Sequence, residues 1–156
     1  MHEYQATISW ERGDTESPLH RYSRAHTWTF DGGLTVPASA SPQIVRAPYS
    51  DPAAIDPEEA FVAALSSCHM LWFLDAAAQR GFRVTNYVDN AVGVMEKNGA
   101  GKVAITRVRL CPKATFAGEM LPTTEEIDAL HRTAHEECFI ANSVTSEVRC
   151  EPIDTT

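Results

Sequence analysis

The chain has 156 residues, 44% of them hydrophobic, and a formal net charge of -8 at pH 7. That length suits a single domain over residues 1–156 with one core, burying about two-thirds of the surface its unfolded form exposes. Thirteen basic against 21 acidic residues, with no basic cluster, exclude a nucleic-acid partner, because neutralising phosphates needs grouped cations.

The opening "MHEYQATISWERGD" has neither a basic head nor an apolar run before a small-residue cleavage site, so a cytoplasmic location is expected. "YQATISW" and "HRYSRAHTWTF" carry the Thr, Tyr, Trp and Ile content and rough alternation of strands, and "FDGG" supplies turn residues after them. Five prolines follow, at 37, 42, 48, 52 and 57, which forbid a long helix or a central strand and predict a long, stiff loop.

"IDPEE" reads as a helix start, with Asp56 as N-cap, Pro57 at the first helical position, and Glu58 and Glu59 against the positive end of the helix dipole. Gly81 reads as its stop. From Ala60 to Leu74 the segment is apolar nearly all round, which predicts a helix buried on every side. Ser66, Ser67, His69 and Asp75 interrupt it too often for a membrane span.

"RVTNYVDNAVGVME" and "KVAITRVRLCP" are predicted as two strands joined by the turn "KNGAG", with a bulge suggested by the imperfect alternation Val103, Ile105, Val108, Leu110. "PTTEEIDALHRTAHEECFI" is a second helix, capped at Thr123 or Thr124, and "NSVTSEVRCEP" is a closing strand. The order ββ, α, ββ, α, β gives an α+β fold with antiparallel sheet.

The four cysteines, at 68, 111, 138 and 150, are too dispersed for a CxxC metal knuckle and too sparse for a disulfide scaffold. Cys111 and Cys150 read as packing. Cys68, in an apolar helix, is a candidate nucleophile that would need a nearby cation or dipole to hold its thiolate. A rival reading is a zinc site drawn from His131, His135 and Cys138, which share a face of the second helix, together with His69. A non-catalytic small-molecule-binding or partner-binding domain is the third.

"DPEEAFVAALSSC", with cysteine ten positions after Glu58, resembles the first motif of the OsmC/Ohr family of osmotically inducible and organic hydroperoxide resistance proteins. "AHEECFIANS", around Cys138, is similar to the second motif of that family. The resemblance implies an OsmC-like fold, an intertwined homodimer with antiparallel sheets around a long buried helix, and a thiol peroxidase reducing organic hydroperoxides. It implies Cys68 as the peroxidatic and Cys138 as the resolving cysteine, a dithiol reductant of the lipoyl type, and no cofactor or metal. The family's arginine is taken to be Arg24, with Arg21 and Arg46 as competitors, and Glu58 would hold it within the chain or across the dimer. Apolar residues near Cys68, namely Phe61, Leu65, Trp72 and Phe139, would favour a bulky organic peroxide. "CHMLWFL" is bulkier than the family's usual continuation, and "CFIANS" lacks the proline that often follows the second cysteine.

Overall fold

A computed structural model describes residues 1–13 and 18–153. They form two compact units, Met1–Ala60 and Phe61–Thr156. In the first, strands β1 (Ala6–Ser9), β2 (His26–Phe30) and β3 (Thr35–Ala38) make an antiparallel sheet in the order β1-β2-β3. The third strand was not expected from the sequence because it contains Pro37. It is tolerated because β3 is an edge strand, where a missing N–H breaks no central ladder.

The proline-rich segment after β3 is a loop, as expected, and serine hydroxyls fix it. Ser39 Oγ accepts from the Asp51 amide at 2.9 Å, and Ser50 Oγ donates to the Val45 carbonyl at 2.5 Å. Arg24 lies two residues before β2 rather than on a strand.

Helix α1 (Pro57–Gln79) begins where the sequence places it. Asp56 Oδ1 accepts from the Glu59 amide at 2.8 Å while the Glu59 carboxylate reaches back to the Asp56 amide at 3.4 Å, a reciprocal capping box. Its end is also local: Gly81 sits at φ 80°, and the amides of Gly81 and Phe82 donate to the carbonyls of Ala78 and Ala77, the Schellman pattern. By length and composition this helix could cross a membrane. Leu65, His69, Phe73, Ala76 and Ala77, however, form one buried stripe at helical spacing.

That stripe corrects the expectation of burial on every side, because Ala63, Ala64, Ser67, Leu71, Asp75 and Ala78 face outward in the single chain. Around the stripe, Phe73, Ala76 and Ala77 pack with Phe82, Ala114, Leu130 and Ala134, and Leu65 packs with Val108 and Leu110.

Strands β4 (Arg83–Asp89), β5 (Val92–Lys97), β6 (Val103–Leu110), β7 (Pro112–Ala117) and β8 (Glu147–Cys150) complete the sheets. The segment expected as one strand breaks between Asp89 and Val92, so that β4 pairs with β7 and β5 with β6. The bulge lies between Val94 and Met95, and the β5–β6 turn is closed by Asn98, whose Oδ1 accepts from the amides of Ala100 and Lys102. β8 joins β6 in parallel, the one parallel ladder among otherwise antiparallel pairs of described strands. Helix α2 (Thr124–Glu137) is capped by Thr123 in a second capping box with Glu126 and ends at Cys138.

Candidate redox site and a buried histidine pair

Cys68 lies three turns into α1, and Cys138 is the C-cap of α2. The fold brings them into one neighbourhood across 70 residues of sequence, near enough that Cys68 is among the groups that raise the Cys138 thiol. Both are free thiols. Cys138 is buried, and burial pushes its thiol up to about 11, against the opposing pull of the Ala141 amide, which donates to Sγ at 3.4 Å. Cys68 is the more accessible of the two.

Beside the pair, Trp72 and Phe139 meet edge to face with centroids 5.4 Å apart, and Phe139 is 66% exposed. Leu65 does not line this site, because it is fully buried in the Val108–Leu110 core, and Phe61 packs there too.

Arg24 is the half-buried member of the three candidate arginines; Arg21 and Arg46 are exposed. Its guanidinium lies 3.7 Å above the Tyr22 ring and 6.0 Å from that of Tyr49, and donates to the Tyr22 carbonyl at 2.6 Å. An aromatic clamp of this kind fixes the side chain while leaving part of the fork of donors available. Among the described residues no ion pair joins Arg24 to Glu58, which is half-buried in the first turn of α1.

The histidines arrange themselves differently from the sequence-based zinc reading. His135 is exposed, and Cys138 is not part of the cluster that forms. The cluster that does form among the described residues is His69, His131 and Cys150. His69 Nε2 and His131 Nδ1 are 3.0 Å apart, and Cys150 Sγ is 3.6 Å from each.

The ring planes differ by 11° and the centroids lie 5.4 Å apart, as far as a 3.0 Å nitrogen contact permits. The rings therefore meet edge to edge in nearly one plane, not face to face, and the bridging N–H···N bond is straight. Burial, reinforced by His135, lowers His69 to about 4; burial and the neighbouring His69 lower His131 to about 4. Burial, with Asp89 next in effect, pushes the Cys150 thiol up to about 12.

Cys150 had been read as packing, and no motif pointed to it. The available signal was parity: Val148 and Cys150 are the inward members of β8, and His69 and His131 both lie on the buried stripes of their helices.

The fold, mostly antiparallel sheets with a long helix α1 and a shorter α2, defines a class of small α+β proteins. The family model of OsmC-like proteins matches residues 50–152. The chain belongs to the OsmC-like family. The structure of an OsmC-like protein of unknown function from Vibrio cholerae O1 biovar eltor is 52% identical, with a TM-score of 0.96, over 98% of this chain and all of that one. An organic hydroperoxide resistance protein from Elizabethkingia anophelis shares the fold at 17% identity, with a TM-score of 0.73 and coverage of 99% and 98%. The organic hydroperoxide resistance protein OhrB of Bacillus subtilis does so at 19%, with a TM-score of 0.68 and coverage of 97% and 98%. No curated protein matches the sequence.

Proposed function

We propose that the protein is a cytoplasmic thiol peroxidase that reduces organic hydroperoxides to alcohols. What supports this reading is the placement, in an OsmC-like chain, of an accessible thiol, Cys68 in α1, in the neighbourhood of a buried one, Cys138 at the C-cap of α2, whose thiol Cys68 helps to raise. The fold it shares with two organic hydroperoxide resistance proteins agrees with it.

In this reading the Cys68 thiolate attacks the terminal oxygen of the peroxide. The O–O bond breaks, the alkoxide leaves as the alcohol after protonation, and Cys68 becomes a sulfenic acid. Cys138 then condenses with it, forming a disulfide and releasing water, and a dithiol reductant of the lipoyl type restores both thiols by exchange. Burial supports this order of roles, because it raises the Cys138 thiol to about 11 and leaves Cys68 the more accessible of the two.

Arg24 supplies the permanent charge that holds Cys68 as thiolate, and Glu58 positions that arginine from the partner subunit of a homodimer. Trp72 and Phe139 offer apolar surface to the organic part of the substrate.

The test is to add one equivalent of an alkyl hydroperoxide and map the disulfides by mass spectrometry. A Cys68–Cys138 disulfide, with Cys111 and Cys150 still alkylatable, is the expected result; a disulfide between any other pair overturns the assignment. Arg24→Ala should slow the reaction and Arg24→Lys restore it only in part.

A further inference from the structure

Three features of the second unit stand outside the thiol pair and converge on one place. His69 Nε2, His131 Nδ1 and Cys150 Sγ form a triangle with edges of 3.0, 3.6 and 3.6 Å, held by α1, α2 and β8. Two buried polar atoms in this neighbourhood have no hydrogen-bond partner, His69 Nδ1 and the Tyr87 hydroxyl. Tyr87 and His131 both pack against Phe73, with centroids 5.4 and 4.3 Å away. Finally, a cavity of about 310 Å³ between α2 and β8 has His131 and Cys150 in its wall and Asp128 and Glu136 among its lining residues.

We propose that His69, His131 and Cys150 form a buried binding site for one thiophilic d10 cation, zinc or cuprous copper, reached through the cavity between α2 and β8. Two imidazoles and a thiol are the donor set such ions select. The spacing also fits. Zinc–nitrogen bonds of about 2.0–2.1 Å and a zinc–sulfur bond of about 2.3 Å, at tetrahedral angles, place nitrogen and sulfur about 3.6 Å apart and the two nitrogens about 3.3 Å apart.

The two nitrogen–sulfur edges already have that length. The nitrogen–nitrogen edge must open by about 0.3 Å, and each ring must tilt toward the sulfur about its broad second side-chain torsion. A cuprous ion, which accepts two nitrogens in line with a thiolate at the side, asks for less tilt and more opening.

The proton balance is definite. The ion replaces the bridging hydrogen bond, and the ring that carried that proton keeps it on its other nitrogen, so both imidazoles stay neutral. The Cys150 thiol loses its proton to solvent, and one proton is released per ion bound. Acidic Asp128 and Glu136 give an entering cation a favourable approach.

The experiment uses the full-length protein, reduced and stripped with chelator under anaerobic conditions. One portion is titrated with zinc against a chromophoric chelator and another with cuprous ion against a cuprous-specific chelator; Co(II) serves as the spectroscopic probe. Retention of one ion per chain with release of one proton supports the site, and the arm in which it occurs identifies the metal.

Cys150→Ser and His131→Gln should each weaken binding by more than about 100-fold, beyond the 10–100-fold typical of losing an outer-shell partner. Circular dichroism identifies any variant that has not folded, and the other variant then carries the test. The thiolate-to-cobalt charge-transfer band should survive in the Cys68→Ser/Cys138→Ser double variant and vanish in Cys150→Ser. No stoichiometric retention in either arm, or binding lost in the Cys68→Ser/Cys138→Ser variant and kept in Cys150→Ser, overturns the proposal.

Discussion

Ser66 Oγ donates to Asp89 Oδ2 at 2.5 Å, tying α1 to the end of β4 two residues before Cys68. The other oxygen of the same carboxylate accepts the Cys111 amide at 2.6 Å, so one side chain anchors α1 and the β6–β7 connection together. Ser66→Ala leaves a half-buried carboxylate oxygen without its donor, which should cost about 1–3 kcal/mol. Urea unfolding measures the loss. Asp89→Asn, which keeps an acceptor for the Cys111 amide and can still meet the serine hydroxyl, should cost less; equal losses would mean that the charge, not the hydrogen bonds, stabilises this junction.

Gly93 on β5 faces α1 so closely that a Cβ there would stand 2.6 Å from Val62 Cγ2. Valine is stiff at its first torsion and cannot step aside. Gly93→Ala should therefore destabilise the protein by about 1–3 kcal/mol through overpacking. Adding Val62→Ala should return part of that loss despite removing two methyl groups, and a double-mutant cycle reads the coupling. A cycle with no coupling would show that β5 shifts to admit the methyl.

Acid should weaken the metal-free protein through the histidine pair. Both rings are depressed from 6.5 to about 4, so between those values the unfolded chain binds more protons than the folded one. Stability from neutral imidazoles is fully present above about pH 6.5, falls as pH drops, and is fully lost below about 4. The slope per histidine is at most about 1.4 kcal/mol per pH unit. Cys150, at about 12, does not titrate in this window. Urea midpoints between pH 7 and pH 4.5 should fall more steeply in the wild type than in a His69→Phe/His131→Leu variant; parallel slopes would place the acid sensitivity elsewhere.

Local signals in the sequence were reliable where the physics is local. The Asp56–Glu59 cap, the Gly81 stop and the Thr123 cap each depend on residues within one turn, and all three form as the residue types require. β3 and β7 were missed because Pro37 and Pro112 mask them, and prolines are allowed there only by edge or end position, which pairing decides. The candidate site divides the same way. The pairing of Cys68 with Cys138 was suggested by a family resemblance, not by spacing.

The histidine pair was legible in part. On α2 the buried residues are Leu130, His131 and Ala134, followed by Cys138, so His131 belongs to the inward stripe and His135 does not. Grouping histidines by i, i+4 spacing put His131 with the wrong partner. That Cys150 would complete the cluster required the parallel pairing of β8 with β6, a long-range choice no local pattern specifies.

The outward face of α1 bears on how the proposed peroxidase site would be completed. Ala63, Ala64, Ser67 and Leu71 repeat at helical spacing and are exposed in the single chain. Small residues in such a row let a second helix approach closely, and the homodimer proposed above would cover this face. Along one continuous helix Glu58 and Cys68 are about 15 Å apart, too far for one arginine to serve both within a chain. Antiparallel packing of two copies about a two-fold axis would bring Glu58 of each chain toward the thiol of the other and build two equivalent sites. Glu58→Ala and Cys68→Ser should each be inactive as homodimers, whereas co-refolding the two should regain activity, because one site in the heterodimer receives both intact residues. Leu71→Glu, which places a charge in the interface, should give monomers by sedimentation and lose activity. An active monomer, or no recovery on mixing under conditions where labelled subunits demonstrably exchange, would place Glu58 at work in its own chain.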